Sequence, residues 1–504
     1  MTFACTLPQG TGEERRYHSL MRTILWLCLA LLLPTGMAVA DGLPDLGEME
    51  RSGLSVPAER RLGEKIMAEI RRDPDYVHDA EIADYINRLG QRLVSHVEGA
   101  RTPFEFFVVR DPMLNAFALP GGFVGVHTGL ILATRSESEL AGVLAHEISH
   151  VTQSHLARMF GNQSQAQLAS LLSLAVALLA ARSNPDVAMG AAVAGQAAGI
   201  QTQLNYSRDF EREADRFGLD LMEKAGFDIR GMASFFERML QFGRLYENNA
   251  PGYLRTHPLT TERITDMENR IAQRPYRQVP DSVEFGLVRA KIRAYAGTPS
   301  DAVAEFAAQL KSGKYARETD VRFGLAHALL RDNRLSAAED EVAALRRLKL
   351  DSPLLENLAA QIRLKRKDVE GAVRILQAGS QRFPNARSLT YALLEAKLGA
   401  GGPAQAAEVV DIARKELQLT PGDARLHALE AKAHAMLGER LREHRAQAEA
   451  YLAEGQLDAA IMQLDLARQA NDGDFYEQSE VDARLRELRQ RKMELQRNER
   501  NGRP

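Results

Sequence analysis

Two histidines and a glutamate occupy the pentapeptide HEISH at residues 146–150, within the run AGVLAHEISHVTQSH. On a helix, positions i and i+4 lie on one face a turn apart, so His146 and His150 would project their imidazoles in the same direction. Such a pair can bind one tetrahedral metal ion, which lowers the pKa of water to about 7, while the neighbouring Glu147 accepts the released proton. The pattern therefore predicts metal-dependent hydrolysis. Chance alone places it in on the order of one chain in a hundred, so ordinary polar helix residues are the alternative.

A second acidic pair, Glu211 and Asp215, lies in NYSRDFEREADRFGLDLMEKAGF, which reads as a helix ending near residues 225–226. Their i, i+4 spacing places both on one face. Because catalytic zinc needs three protein ligands and an open fourth position, Glu211 can complete a His-His-Glu set. Metal-bound imidazoles usually donate their second N–H to a carboxylate, which Asp215 can provide. The alternative is a solvated acidic face, since Arg212 and Glu213 belong to the same segment.

The chain before the HEISH motif mixes helical and extended patterns. Residues 58–72 and 79–97 have the spacing of amphipathic helices, and residues 104–111 (FEFFVVRD) have the aromatic and β-branched content of a strand. Residues 114–131 alternate around a Pro-Gly-Gly sequence. This alternation predicts two short extended segments joined by a turn.

Three further features bear on how the motif is positioned. Ser136 and Glu139 have the spacing of a capping box, with Ser136 as N-cap, which predicts that the HEISH helix begins there. His155 follows His150 at i+5, too far around a helix to share the ion, and is expected to be exposed. His127 lies in an extended segment that could serve as an edge strand and receive a substrate backbone by β-augmentation.

The N-terminus has the three parts of a secretory signal peptide. A basic flank precedes the apolar run ILWLCLALLL; it consists of Arg15 and Arg16, or of Arg22 alone if Met21 is the true start. AVA at residues 38–40 supplies a cleavage site. The run is shorter than the roughly 20 residues of a spanning helix, which argues against the alternative of a membrane anchor. Cleavage of residues 1–40 and export to the periplasm are therefore expected. Both cysteines, Cys5 and Cys28, would be removed, so a metal site must be built from His, Asp and Glu.

Two apolar segments follow the motif, LASLLSLAVALLAA from Leu168 and VAMGAAVAGQAAGI at residues 187–200. Neither is long enough to span a bilayer. They are expected to be buried helices of the catalytic domain. The alternative is a hydrophobic hairpin that contacts a membrane surface or an apolar substrate.

Alanine-rich helices with a repeat begin after about Asp281. Ala338, Ala372 and Ala406 recur at intervals of 34 residues, the tetratricopeptide period. A further, irregularly spaced unit starts at Tyr451. Prolines fall between the predicted helix pairs, at Pro353, Pro384 and Pro421. Stacked pairs of this kind form a superhelix with a concave face.

These patterns predict a mainly α fold with a small β element. A chain of 504 residues has room for two or three domains. The predicted organisation is a signal peptide at 1–40, a zinc metallopeptidase domain at 41–280, a tetratricopeptide repeat domain at 281–490 and a basic C-terminal tail at 491–504. No role is assigned to the tail.

HEISH followed by SRDFEREAD resembles the zinc metallopeptidases that include the CAAX prenyl protease and the heat-shock membrane protease HtpX. The resemblance implies one Zn²⁺ per chain, held by His146, His150 and Glu211, with Glu147 as the base. It also implies that Asp215 is a proton donor, although a position behind a ligand histidine is equally defensible. The membrane-spanning helices of that family have no counterpart in this sequence, which puts a membrane-embedded substrate in doubt.

The signal peptide and the repeats narrow the resemblance to periplasmic members of the family. It then implies that the partners are outer-membrane β-barrel proteins and their assembly machinery, with misfolded or stalled barrels being degraded. The net charge of −3 gives no indication of a nucleic-acid partner. Peripheral contact with a membrane stays open because of the apolar segments.

His257, in LRTHPLTTERI, matches a segment that recurs in the same family after the third ligand. Its imidazole could stabilise the oxyanion formed at the substrate carbonyl. It could instead occupy the open position on zinc and keep the enzyme inactive. A histidine before proline is otherwise more often a loop residue.

The leading hypothesis is a periplasmic zinc endopeptidase in which Glu147 activates water. A second is a chaperone or adaptor whose repeats dock partners of barrel assembly, with cleavage secondary. A third, a structural zinc site, would need a fourth protein ligand and would have no use for Glu147 as a base.

Overall fold

The structure, a computed structural model, describes residues 55–99, 102–160, 208–245 and 252–500. The predicted signal peptide and the two apolar segments between residues 168 and 200 lie outside these ranges. The predicted fold class is confirmed, because helices dominate and the sheet found in the described residues has three strands.

Helices α1 (Val56–Ile70) and α2 (Ala80–Val94) open the described chain, close to their predicted bounds. Their N-caps are Ser55 and Asp79, whose side-chain oxygens accept backbone N–H groups of the first turn. Asn87 joins α2 to the sheet, since its side chain both donates to and accepts from the backbone of Phe106.

The sheet consists of β1 (Glu105–Val109), β2 (Ala116–Leu119) and β3 (Phe123–His127) in the order β1-β3-β2. β3 pairs in parallel with β1 and antiparallel with β2. Gly122 has φ 86° in the β2–β3 turn, and a Cβ there would lie 2.4 Å from the Pro103 carbonyl oxygen. The prediction of an edge strand at His127 is wrong, because β3 is the central strand. β2, from the same predicted segment, lies at the edge.

A short helix, α3 (Thr128–Ala133), leads to the motif helix α4 (Glu137–Thr152). The predicted N-cap is confirmed, since the Ser136 hydroxyl accepts the Glu139 N–H at 3.2 Å. The other half of the capping box is not formed, because the Glu139 carboxylate accepts the Arg135 N–H instead. Every residue of α4 from Glu137 to His150 is buried. A helix buried on all sides is a core element, so α4 is a core helix of the described residues between 55 and 280, which are called the peptidase part after the predicted domain.

In the described residues of that part, the helices after α4 are α5 (His155–Phe160), α6 (Arg208–Lys224), α7 (Arg230–Leu245), α8 (Gly252–Thr256) and α9 (Thr261–Ala272). Helices α6 and α7 both pack against α4. The predicted end of the Glu211 helix is confirmed, since α6 stops at Lys224 and Gly226 follows with φ 78°.

The remaining helices form consecutive packed pairs. They are α10 (Val283–Ala294), α11 (Pro299–Ser312), α12 (Glu318–Arg331), α13 (Leu335–Arg347), α14 (Pro353–Lys365), α15 (Val369–Arg382), α16 (Arg387–Ala400), α17 (Pro403–Leu419), α18 (Ala424–Leu437), α19 (Arg440–Ala453), α20 (Leu457–Gln469) and α21 (Phe475–Arg500). Ala338, Ala372 and Ala406 are fully buried. Small residues at these positions let the paired helices approach closely, as the repeat predicts.

The repeats pack back onto the peptidase part through α2. Lys291 of α10 contacts Asp79 and Glu81 at 2.6 and 2.5 Å, and Asn357 of α14 donates to Glu81. Among the described residues, none of the helices combines the length and apolar character needed to cross a membrane. The residues assigned to a basic tail continue helix α21 as far as Arg500.

Candidate metal centre

The two histidines of the motif face the same side of α4. His146 Nε2 and His150 Nε2 are 3.0 Å apart, and the rings meet edge to face with centroids separated by 4.7 Å. Both side chains are buried. The i, i+4 spacing therefore produces the paired imidazoles that the sequence predicted, and they point into the protein.

Helix α6 brings Glu211 to this pair. Its Oε2 lies 3.5 Å from His146 Nε2 and its Oε1 lies 3.5 Å from His150 Nε2. The approach of α6 is close, because a Cβ at Gly218 would lie 3.3 Å from the backbone nitrogen of His146. Burial would raise the pKa of Glu211, but His257 and Arg263 hold it well below its usual value. Glu211 is therefore ionised, as a metal ligand must be.

The geometry of these donors fits a single metal ion. One ligand atom from each of His146, His150, Glu211 and His257 lies within 4.8 Å of the others. Donors on one tetrahedral ion at about 2.0–2.1 Å are about 3.3 Å apart, and the separations of 3.0 and 3.5 Å are close to that. Each side chain is at most 2% exposed. Nitrogen and oxygen donors in a buried cluster suit a divalent transition metal.

Glu147 lies beside the cluster, fully buried. Its Oε1 is 3.5 Å from His257 Nε2, and neither of its oxygens accepts a hydrogen bond of normal geometry from the described residues. Burial raises the pKa of Glu147, although His257 and His146 oppose this effect. A carboxylate with a raised pKa is a stronger proton acceptor than an exposed glutamate, which suits a general base.

Asp215 lies behind the motif rather than inside the donor cluster. Its Oδ1 is 3.0 Å from His146 Nδ1, the ring nitrogen opposite the one that faces the cluster. Arg263 of α9 holds both oxygens through hydrogen bonds of 2.7 Å and also lies 2.7 Å from Glu211 Oε2. Burial would raise the pKa of Asp215, but Arg263 lowers it. Asp215 is therefore an ionised carboxylate next to His146 Nδ1.

His257 lies inside the cluster. Its Nδ1 is 3.0 Å from Glu211 Oε1, and its ring stacks on Tyr253 with centroids 4.6 Å apart. Tyr253 is fully buried and also contacts the His146 ring. Helix α8 and the following turn thus carry His257 to the side of the cluster left open by α4 and α6.

His155 is the main difference from expectation at this site. It was expected to be exposed, and this is wrong, because its side chain is fully buried. Its Nδ1 lies 2.9 Å from His150 Nδ1 and its Nε2 lies 3.2 Å from Glu213 Oε2. The reason is local: α4 ends at Thr152 and Ser154 has φ 51°, so His155 does not continue the same helix.

Sequence reasoning also missed Arg263 and Tyr253. Arg263 lies on α9, and a lone arginine on an amphipathic helix is normally a solvated residue. Tyr253 precedes His257 by one helical turn. That i, i+4 spacing is a signal for a shared face, but it gains meaning only once His257 is placed at the cluster.

Known proteins that are similar in sequence to this chain are proteases. Residues 81–271 match peptidase family M48. The chain is 40% identical over 322 residues to the putative beta-barrel assembly-enhancing protease of Vibrio cholerae, covering 63% of this chain and 66% of that protein. It is 32% identical over 459 residues to the beta-barrel assembly-enhancing protease of Escherichia coli K12, covering 90% and 92%. It is 29% identical over 205 residues to the mitochondrial metalloendopeptidase OMA1 of Danio rerio, covering 40% and 41%.

Proposed function

Because the chain belongs to the beta-barrel assembly-enhancing protease family, within peptidase family M48, we propose that it is a zinc-dependent endopeptidase of the periplasm. Because it belongs to this family, the chain is a metalloendopeptidase. We propose that its metal is zinc, and we propose its substrates and its compartment. One observation carries the proposal. Glu211, from a helix remote in sequence, lies 3.5 Å from Nε2 of both motif histidines.

In this proposal His146, His150 and Glu211 hold the ion, which when bound polarises a peptide carbonyl and lowers the pKa of water. Glu147 accepts the proton of the attacking water and passes it to the leaving amine. We assign Asp215 to orienting His146 rather than to proton donation. Its contact with His146 Nδ1 and its two hydrogen bonds from Arg263 support this role.

For His257 we propose that the imidazole caps the metal centre in a resting state. It lies in the same donor cluster as the three ligands, and each of the four side chains is at most 2% exposed. A peptide carbonyl would need the space that this ring fills.

The variant His257→Ala tests the capping role. We expect faster cleavage of an unfolded protein by the variant, with wild-type zinc content, because the fourth position is then accessible to substrate. The measurement is the initial rate of cleavage beside the zinc-to-protein ratio. A large loss of rate with zinc retained would instead favour stabilisation of the oxyanion by His257.

The names of the bacterial relatives specify β-barrel assembly. We extend this to the present chain and propose that outer-membrane β-barrel proteins and their assembly machinery are its partners, with misfolded or stalled barrels degraded. The predicted signal peptide supports a periplasmic location. The repeat superhelix, which presents a large surface next to the peptidase part, would select the partner.

Burial of the metal centre also favours a second function, that of a chaperone or adaptor. With His257 in the cluster and every donor buried, the described conformation can hold a partner on the repeats without cutting it. The two functions are compatible, because capping would regulate when a held partner is cleaved.

Glu147→Gln separates the two functions and tests the proposed base. The substitution keeps size and leaves the three proposed ligands in place, so we expect near-stoichiometric zinc and loss of cleavage by a factor of at least about 100. His146→Ala is the matched variant, which should lose zinc as well. If Glu147→Gln still supports barrel assembly in cells, the adaptor function suffices there. Wild-type protein without zinc would contradict the proposed metal centre.

A further inference from the structure

We propose that His155 positions the metal ligand His150, and that Glu213 and Arg158 hold His155 in turn. The inference rests on the proposed metal centre. It assigns a role to a buried histidine that is not itself a ligand, since its contact with His150 is on the side of the ring facing away from the cluster.

The contacts form a continuous chain. His150 Nε2 faces His146 and Glu211, so His150 Nδ1 points away from the cluster, and His155 Nδ1 lies 2.9 Å from it. His155 Nε2 lies 3.2 Å from Glu213 Oε2. The same carboxylate oxygen accepts a hydrogen bond of 2.9 Å from Arg158.

One arrangement of protons satisfies every contact in this chain. If His150 Nε2 binds the metal, its proton must lie on Nδ1, and it donates to His155 Nδ1. His155 then carries its own proton on Nε2 and donates it to Glu213. The carboxylate therefore fixes the tautomer of His155, and His155 fixes the tautomer and ring orientation of His150. Partners of this kind raise the basicity of a ligand imidazole and hold it in place.

The arrangement around His146 is similar. His146 Nδ1 contacts Asp215, which is held by Arg263. The proposed ligand histidines thus each have a chain that ends in a carboxylate paired with an arginine. The carboxylates Asp215 and Glu213 both lie on α6. The difference is that a second imidazole is interposed on the His150 side.

The structure holds the His155 ring in the required plane. Its ring stacks on Phe210 with centroids 4.7 Å apart and an angle of 14° between the planes. The Arg158 guanidinium lies 4.6 Å from the centroid of the same Phe210 ring. The turn at Ser154 brings His155 back towards His150, which a continuous helix would not do at i+5.

Two substitutions at His155 distinguish positioning from simple packing. Asparagine has a polar atom where His155 has Nδ1, so His155→Asn can still accept the His150 N–H. Glutamine has one where His155 has Nε2, so His155→Gln keeps a donor for Glu213 but loses the acceptor for His150. The zinc dissociation constant of each purified full-length variant is measured by competition with a chromophoric chelator.

We expect His155→Asn to bind zinc within about threefold of wild type, and His155→Gln to bind about 10- to 100-fold more weakly. Equal affinities for the two variants, whether at the wild-type level or reduced together, would overturn the inference, because a packing role does not distinguish the two polar atoms. Wild-type protein that binds no zinc would instead refute the proposed metal centre.

Glu213→Ala provides a second route that leaves every buried apolar side chain unchanged, should a His155 variant fail to fold. We expect its zinc affinity to fall by about tenfold, at the lower end of the range for such partners. Arg212→Ala is the matched control, because Arg212 is the adjacent residue on α6 and pairs with Asp209 and Glu262 instead. If the Glu213→Ala variant binds zinc as tightly as the Arg212→Ala variant, the inference is overturned.

Discussion

At the scale of single residues, Arg263 places a positive charge beside two acidic side chains of the candidate metal centre. Its side chain is 3% exposed and contacts Glu211 and Asp215, which are themselves almost fully buried. Burial would lower the pKa of Arg263, but the two carboxylates raise it, so the guanidinium stays charged. Two ionised carboxylates in a buried site need such a partner.

Arg263→Ala is predicted to destabilise the protein by about 3–5 kcal/mol, because two buried carboxylates lose their cationic partner. The free energy of unfolding in urea, measured without added metal, tests this. Arg270→Ala on the same helix is the control; it removes a pair with Asp266 that is about one third exposed and should cost less than about 1 kcal/mol. Similar losses for the two variants would contradict the buried role of Arg263.

At the scale of elements, the site depends on how closely α6 and α7 approach α4. A Cβ at Gly142 of α4 would lie 2.9 Å from Met232 Cα on α7. Where α6 packs against α4 and α7, a Cβ at Gly218 of α6 would meet both the Met232 side chain and the His146 backbone. Small residues at these crossings allow α4 and α6 to bring their polar side chains into one cluster, with α7 packed against both helices.

Gly142→Ala is predicted to destabilise the protein by about 1–3 kcal/mol, since the added methyl meets backbone that cannot move without shifting α7. Thermal unfolding followed by circular dichroism measures the effect. Gly399→Ala on α16 is the matched control: a Cβ there meets no atom within 4 Å, so alanine should be neutral or stabilising by up to about 1 kcal/mol. A neutral Gly142→Ala would mean that α4 and α7 are less tightly packed.

At the scale of the whole molecule, polar contacts bind the repeats to the peptidase part. Lys291 is 3% exposed, and burial would lower its pKa, but Glu81 and Asp79 raise it, so the ammonium stays charged. Further along the repeats, Arg387 of α16 contacts Asp84 of α2 at 2.6 Å. Helix α2 and its N-cap thus contact three separate repeat helices, and these contacts hold the repeats against the peptidase part.

Lys291→Ala is predicted to destabilise the full-length protein by about 3–5 kcal/mol, because the buried Glu81 carboxylate is left without a cation beside the partly exposed Asp79. Equilibrium urea unfolding provides the measurement. Arg293→Ala is the control, since Arg293 lies on the same helix but its pair with Glu305 is about half exposed. If the Lys291→Ala variant is no less stable than the Arg293→Ala variant, the contacts of Lys291 with Asp79 and Glu81 do not hold the two parts together.

Much of the site could be predicted because the spacing of residues within a single helix specifies which side chains lie together. The HEISH spacing and the spacing of Glu211 and Asp215 each specify one helix face, and caps and prolines mark where helices begin. The repeat period likewise specified the close-packed alanines. The strand order could not be predicted, since alternation of residues does not say which strand of a hairpin pairs with a third.

By itself, the sequence determined which side chains share a face on α4 and on α6, because helical geometry depends only on spacing. Only the tertiary structure decided which faces meet. It placed Arg263 between two carboxylates, brought His257 into the donor cluster and turned His155 inward. Such contacts arise from packing between segments far apart in the chain, and neither spacing nor residue type along one segment encodes them.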